Sequence, residues 1–306
     1  MRRWPIGLAV WLLALAGAEM AAFVLVWRFF VRSEPGQLLD TLALTGNSIG
    51  QARVENVVNT VLNTISALSL VVATAVVGFI ALIRRRIAVA VGAVLLIVGA
   101  NLTTQVLKQL IYRPDLGIDP ERAAAGNSLP SGHTTIVAAV AAALVLVLPP
   151  QHRGTGGVLG ALFTALAGIA TLSADWHRPS DAVAALLVVG GWACAAGLFI
   201  VGAQRRHGDV TYGPPSLFAV VALTVAGLVL LSGAALALGV TDQVLAVPAD
   251  QVGRRRLFVA YAGGAMGIAG TAGLVLASVL ATVHRVVPAI VPPPVLEAED
   301  SSPMIN

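Results

Sequence analysis

Apolar residues run in stretches of about twenty or more along most of the chain, separated by short polar breaks. A helix of roughly 20 apolar residues crosses about 30 Å of hydrocarbon. Only helices and closed barrels satisfy their own backbone in that medium. The pattern predicts eight transmembrane helices, over 4–30, 58–83, 87–110, 130–149, 156–174, 179–202, 215–240 and 256–283. The first opens like a signal peptide, with Met1-Arg2-Arg3 before an apolar stretch and an Ala-Gly-Ala sequence. Its apolar character continues past Glu19 to Phe30, so an uncleaved helix is expected. From Pro288 to Asn306 the chain turns Pro-rich and then acidic, which reads as a flexible tail. No repeat of fixed period stands out.

Composition agrees with an all-α polytopic membrane protein. Of 306 residues, 57% are hydrophobic and 11% charged, with a mean hydropathy of +0.87. Soluble domains carry roughly a quarter charged residues. That excludes a disordered chain, a soluble multi-domain enzyme and a disulfide-stapled module. The net charge of +4 comes from arginines clustered between apolar runs, with no basic stripe interleaved with aromatics, so nucleic acid is not an expected partner. Lys108 is the sole lysine against abundant arginine, alanine and glycine, a usage that fits a GC-rich bacterial genome. Cys194 is the single cysteine and lies inside an apolar run, so there is no disulfide framework.

If eight spans alternate, Arg2-Arg3, Arg84-Arg85-Arg86, Arg153, Arg205-Arg206 and Arg285 share one side. The positive-inside rule makes that side cytoplasmic. The Arg254-Arg255-Arg256 triplet falls on the other side, where it reads as a membrane-surface anchor that could also recruit lipid headgroups.

Three polar clusters share the outer face, because an even number of crossings separates any two. They are Lys108 with Arg113-Pro114; Ser128 to His133; and Asp175 to Asp181. Pro130 has a φ suited to a helix's first turn, so Ser131 and Gly132 are expected to offer free backbone N–H groups to an anion. His133, in the same turn, can donate a proton. His177 and Asp181 are four residues apart, so the carboxylate can fix the imidazole tautomer and leave the other nitrogen nucleophilic. Lys108 and Arg113 supply charge for phosphate oxygens. Two histidines, cations and a helix start suit phosphoryl transfer through a phosphohistidine.

These residues resemble the type-2 phosphatidic acid phosphatases, or lipid phosphate phosphatases, whose core is shared with vanadium haloperoxidases. That family carries K-x6-R-P, then P-S-G-H, then S-R-x5-H-x3-D. Pro130-Ser131-Gly132-His133 matches the second part, and His177 with Asp181 matches the end of the third. Two positions depart: Arg113 follows Lys108 after four intervening residues instead of six, and Thr171 stands where the third part has arginine. The resemblance covers roughly residues 1–205 and implies a six-helix core. It implies His177 as nucleophile, Asp181 as its orienting group, and His133 as acid and then base. Lys108, Arg113, Ser131 and Gly132 would hold phosphate oxygens, and Arg178, beside the nucleophile, is the candidate to replace the missing arginine. It implies no metal and no cofactor.

Other polar residues have plainer readings. Asp115, Asp119 and Glu121 read as a solvated loop, since a hard-cation site needs more converging oxygens. Glu19, mid-span, is expected to face the bundle through a structural hydrogen bond. Trp4, Trp27 and Trp176 read as interfacial belt residues.

The expected architecture is a six-helix membrane phosphatase core over 1–212, a two-helix extension over 213–286, and a tail over 287–306. The expected function is hydrolysis of a lipid phosphate or diphosphate at the outer face of a bacterial plasma membrane, with membrane lipids as neighbours. A phosphotransferase using an acceptor other than water, and a non-catalytic lipid-phosphate binding or transport protein, are the alternatives. Oligomeric state is left open.

Overall fold

The computed structural model describes residues 6–49, 67–83, 86–119, 126–203, 214–242 and 252–287. Nine α-helices and no strand occur among them. In chain order they are α1 (Ile6–Val26), α2 (Glu34–Thr45), α3 (Ala67–Ile83), α4 (Ile87–Leu110), α5 (Gly132–Val147), α6 (Pro150–Ser173), α7 (Pro179–Ala203), α8 (Leu217–Asp242) and α9 (Arg254–Val286). All eight predicted spans coincide with a helix. Among the described residues, six are long and apolar enough to cross a membrane: α1 with its π-helical extension to Val31, α4, α6, α7, α8 and α9. Helix α5 is apolar but 16 residues long, and the expected start of α3 lies outside the described residues. The fold is therefore that of an all-α polytopic membrane protein.

Helix α7 sits at the centre, with α1, α4, α5 and α9 packed around it. Its core residues, Ala182, Leu186, Val189 and Ile200, are fully buried. Small residues set these contacts: a side chain at Gly92 would collide with Ile200, and one at Gly168 with Ile268. The last helix is a full member of this core. Ile268, Ala272, Leu276 and Leu280 of α9 share one apolar cluster with α4, α5, α6 and α7. Lipid-facing positions stay apolar, as on Val10 and Leu13 of α1 and Val225 and Val229 of α8, because lipid tails are as apolar as leucine.

Several boundaries shift for identifiable reasons. Helix α6 starts at Pro150, not 156, because proline suits the first helical turn despite the polar residues that follow. Helix α5 starts at Gly132, not Pro130: Ser131 is its N-cap, its side chain accepting from the Thr134 N–H at 3.4 Å. Within the segment read as a loop over 33–57 lies α2, capped by Ser33 and buried along Gly36–Leu44. Gly36 is required there, since a Cβ would overlap the Phe29 carbonyl.

Arg86, Arg153 and Arg285 lie at one end of the bundle, at the starts of α4 and α6 and the end of α9. Arg153 is buried, its Nε donating to the Leu148 carbonyl at 3.1 Å. Arg2, Arg3, Trp4, Arg84, Arg85, Arg205, Arg206, Glu121 and the stretch from Pro288 lie outside the described residues. At the opposite end, Arg254, Arg255 and Arg256 are exposed on the first turn of α9.

Candidate active site

The C-terminal end of α4, the start of α5 and the start of α7 meet at this second end, and each brings one of the three polar clusters. The corner between α6 and α7 is built around Thr171. Its hydroxyl donates to the Gly168 carbonyl at 2.8 Å, and its own carbonyl accepts from the N–H groups of Trp176 and His177 at 3.0 and 3.2 Å. Asp175 turns the chain with φ +64°, a left-handed conformation that aspartate tolerates better than most residues. The position where an arginine was expected is therefore a fully buried pillar of the corner.

The turn delivers His177 against Asp181, with Nδ1 lying 3.3 Å from Oδ2. That oxygen also accepts from Ser128 Oγ at 2.6 Å and from the Arg178 N–H at 3.1 Å. Both side chains are buried. A carboxylate so placed holds a proton on Nδ1 and leaves Nε2 with its lone pair. The His133 ring faces His177 with centroids 6.4 Å apart, and packs on Trp176 at 5.2 Å.

The cations surround this pair. Arg113 is buried, its Nη2 3.6 Å from Asp181 Oδ1 and 4.0 Å from Asp40 Oδ2, with Nη1 donating to the Phe30 carbonyl at 3.3 Å. Its Nε and Nη2 have no hydrogen-bond acceptor among the described residues. Buried guanidinium N–H groups left this way are costly and are the donors an oxyanion would satisfy. Lys108 is half-buried beside Gly132: a Cβ on that glycine would lie 3.9 Å from its Nζ and 3.7 Å from Gln105 Nε2. Arg178 is also buried, with Nη2 3.2 Å from Asp119 Oδ2 and Nε without an acceptor. The structure thus gathers His133, His177, Asp181, Lys108, Arg113, Ser131, Gly132 and Arg178 at one place.

Two expectations change in detail. The Ser131 N–H is not available to a ligand: it donates to the Asp181 carbonyl at 2.8 Å, tying the starts of α5 and α7 together. Its hydroxyl accepts from Thr134 Oγ1 at 3.0 Å and is fully buried. Gly132 N–H, first in its helix, has no acceptor within it. Asp119 pairs with Arg178 instead of standing as a solvated loop residue, while Asp115 caps its own turn through the Gly117 N–H at 2.9 Å.

Asp40 was missed altogether. It is fully buried on α2, accepting from Ser180 Oγ at 2.5 Å and Ser180 N–H at 3.2 Å. Burial pushes its carboxyl up to about 6, against the pull of Arg113. A signal existed: Ser33-Glu34-Pro35 followed by an apolar run is a helix start. An apolar cavity of about 220 Å³ lies behind Asp40 and Ser180, walled by Leu39, Leu238, Gly264 and Gly267 among others. A second, of about 270 Å³, includes Glu19, whose carboxyl packs on Gly190 of α7 as expected of a bundle-facing residue.

Residues 67–207 match the family model described as the PAP2 superfamily. No curated protein and no solved structure matches the chain. The matched stretch contains α3 to α7, and with them every residue of the three clusters. A match of this kind points to a phosphatase-type function exercised on phosphate-bearing substrates within a membrane. On that match residues 67–207 are similar to the PAP2 superfamily, the family of the type-2 phosphatidic acid phosphatases.

Proposed function

We propose that the protein hydrolyses a lipid phosphate or diphosphate through a phosphohistidine on His177, at the outer face of a bacterial plasma membrane. The observation that carries the reading is the buried His177–Asp181 pair beside guanidinium N–H groups of Arg113 and Arg178 that lack acceptors. A phosphoryl group between His177 and His133 would satisfy those donors and touch both imidazoles.

In this mechanism Nε2 of His177 attacks the terminal phosphorus, and the bond from that phosphorus to the leaving oxygen breaks, the lipid alcohol's oxygen in a monophosphate or the bridging oxygen in a diphosphate. His133 gives that oxygen its proton. Asp181 stabilises the positive charge that grows on the His177 ring. His133, now neutral, then takes a proton from water; the oxygen attacks phosphorus, the P–N bond breaks, and inorganic phosphate leaves. Arg113, Lys108, Arg178 and the Gly132 N–H carry the negative charge of the transferring group, the role in which such donors contribute most to rate. With these cations in place the chemistry proceeds without a divalent metal. A head group at the membrane surface reaches the site while its chains stay among the helices. A prenyl diphosphate carrier is the favoured substrate, with phosphatidate-type lipids next, on the ground of an outward-facing site.

The test is phosphate release by detergent-purified protein in EDTA, from phosphatidate, phosphatidylglycerophosphate and a long prenyl diphosphate. Turnover is expected for wild type and absent from His177→Ala. Equal turnover in the variant would refute the nucleophile. Strict dependence on a divalent ion would refute the metal-free mechanism.

A further inference from the structure

Helix α2 and the turn after it stand outside the matched stretch of 67–207, yet they touch two of the three polar clusters that build the site, Arg113-Pro114 and Asp175 to Asp181. Gln37 Nε2 donates to the Pro114 carbonyl at 3.0 Å, next to Arg113. Asn47, just past the helix, donates through Nδ2 to the Leu172 carbonyl at 3.3 Å and to Asp175 Oδ1 at 3.4 Å, at the corner that presents His177. Asp40, between them, takes both donors of Ser180 at the start of α7 and lies 4.0 Å from the Arg113 guanidinium.

Gln37 and Asn47 use neutral amide groups, on backbone carbonyls and in Asn47 also on Asp175 Oδ1, as a structural brace does. Asp40 differs, because it buries a negative charge in a phosphate-binding neighbourhood. A carboxylate there opposes an anionic substrate by simple Coulomb repulsion, and an asparagine could still hold Ser180 by accepting its N–H at Oδ1 and donating its NH2 to the hydroxyl oxygen. What a neutral residue could not do is hold Arg113. That guanidinium is flanked by Asp181 Oδ1 at 3.6 Å and Asp40 Oδ2 at 4.0 Å. With one partner gone it would swing wholly onto Asp181, the carboxylate that His177 needs.

We propose that Asp40 is a positioning residue: it holds Arg113 Nη2 between two carboxylates so that the Nε N–H is left for the phosphoryl group and Asp181 stays committed to His177. The inference rests on the function proposed above. It assigns to α2 a part in phosphate recognition that none of the three motif clusters contains.

The direction of the effect separates this role from the alternatives. Removing a negative charge by Asp40→Asn makes the site more positive, so a purely through-space influence would tighten phosphate. Loss of positioning would weaken it. The experiment measures inorganic phosphate binding by calorimetry, with turnover in parallel, across Asp40→Asn, Arg113→Ala and the double variant. Asp40→Asn is expected to weaken phosphate about tenfold and to raise KM more than it lowers kcat. In the Arg113→Ala background the same change is expected to cost less than twofold, since coupled residues are non-additive. Gln37→Ala and Asn47→Ala, which cut the neutral braces, are expected to lower Tm and leave phosphate affinity within twofold. If Asp40→Asn does not fold, Asp40→Ser carries the cycle. Tighter phosphate binding in Asp40→Asn, or an equal loss in both backgrounds, would overturn the proposal. Wild-type protein that binds phosphate without turnover would refute the phosphatase reading while the cycle still reports on Arg113. Wild-type protein with no phosphate affinity would overturn both.

Discussion

Replacing Asp181 by asparagine tests how the His177 nucleophile is made. Ser128 Oγ–H and the Arg178 N–H both point at Oδ2, 2.6 and 3.1 Å away, and both require an acceptor there. The amide oxygen of Asp181→Asn therefore takes that place, still accepting from His177 Nδ1, and the NH2 replaces Oδ1 opposite Arg113. Geometry and tautomer survive; the charge does not. Unit charges 3.3 Å apart attract by about 5 kcal/mol at an effective dielectric of about 20. A neutral acceptor retains roughly half of what a charged one supplies. The transition state, where the ring becomes cationic, thus loses about 2.5 kcal/mol, or roughly 70-fold in kcat. KM should hardly move, because the charge develops only during the step. Arg113 then faces an NH2 group, and breaking a buried pair costs about 3–5 kcal/mol, so rates belong well below the variant's lowered Tm. Phosphate release under saturating substrate reads the effect. A kcat within threefold of wild type in folded Asp181→Asn would refute the charge argument.

Further outcomes follow from the same geometry. Gly132→Ala should fold normally, since its Cβ would meet Gln105 and Lys108 only at ordinary contact distances of 3.7 and 3.9 Å. The methyl would occupy phosphate space, so activity should fall about tenfold at unchanged Tm, and undiminished activity would remove Gly132 from the site. Lys108→Ala should raise KM about tenfold, the equivalent of about 1.4 kcal/mol for one charge-assisted contact, with Tm shifted by less than about 2 °C; an unchanged KM would make Lys108 an interfacial anchor. Asp40, raised from 3.8 to about 6, binds its proton more tightly folded than unfolded. Its contribution to stability is therefore full below about pH 4 and lost as pH rises through 6. Burial sets that window, opposed by Arg113, Ser180 and Arg178 and reinforced by Asp181. Asp40→Asn, which cannot ionise, should gain on wild type in Tm between pH 4.5 and 7, and a constant difference would contradict the shift.

The helices and the three clusters were legible because each rests on a local rule. Twenty apolar residues make a span wherever they occur, and His177 with Asp181, four residues apart at the entry to α7, needs only a local turn to meet. Pairings across the fold were not legible. Arg178 was visible as a candidate cation, but its partner Asp119 lies on a separate loop, and no spacing joins them. Asp40 was hidden for a related reason: in a short helix of mixed pattern a carboxylate reads as solvated, and only the packing of α2 against α7 and α9 buries it. Thr171 read as a lost arginine, whereas its hydroxyl and carbonyl bonds make it the pillar of the corner. Pro130 pointed to the right helix start two residues early, because capping by Ser131 depends on where the chain arrives from.

Trapping the covalent intermediate tests the central claim most directly. Protein mixed with substrate carrying a labelled phosphoryl group, then quenched in denaturant within one turnover, should carry label that is stable to alkali and lost in acid, as a phosphohistidine is. The label should be absent from His177→Ala. It should persist longer in His133→Ala with a good leaving group, where water is no longer activated. Label retained in His177→Ala, or turnover with no label in wild type, would contradict the account.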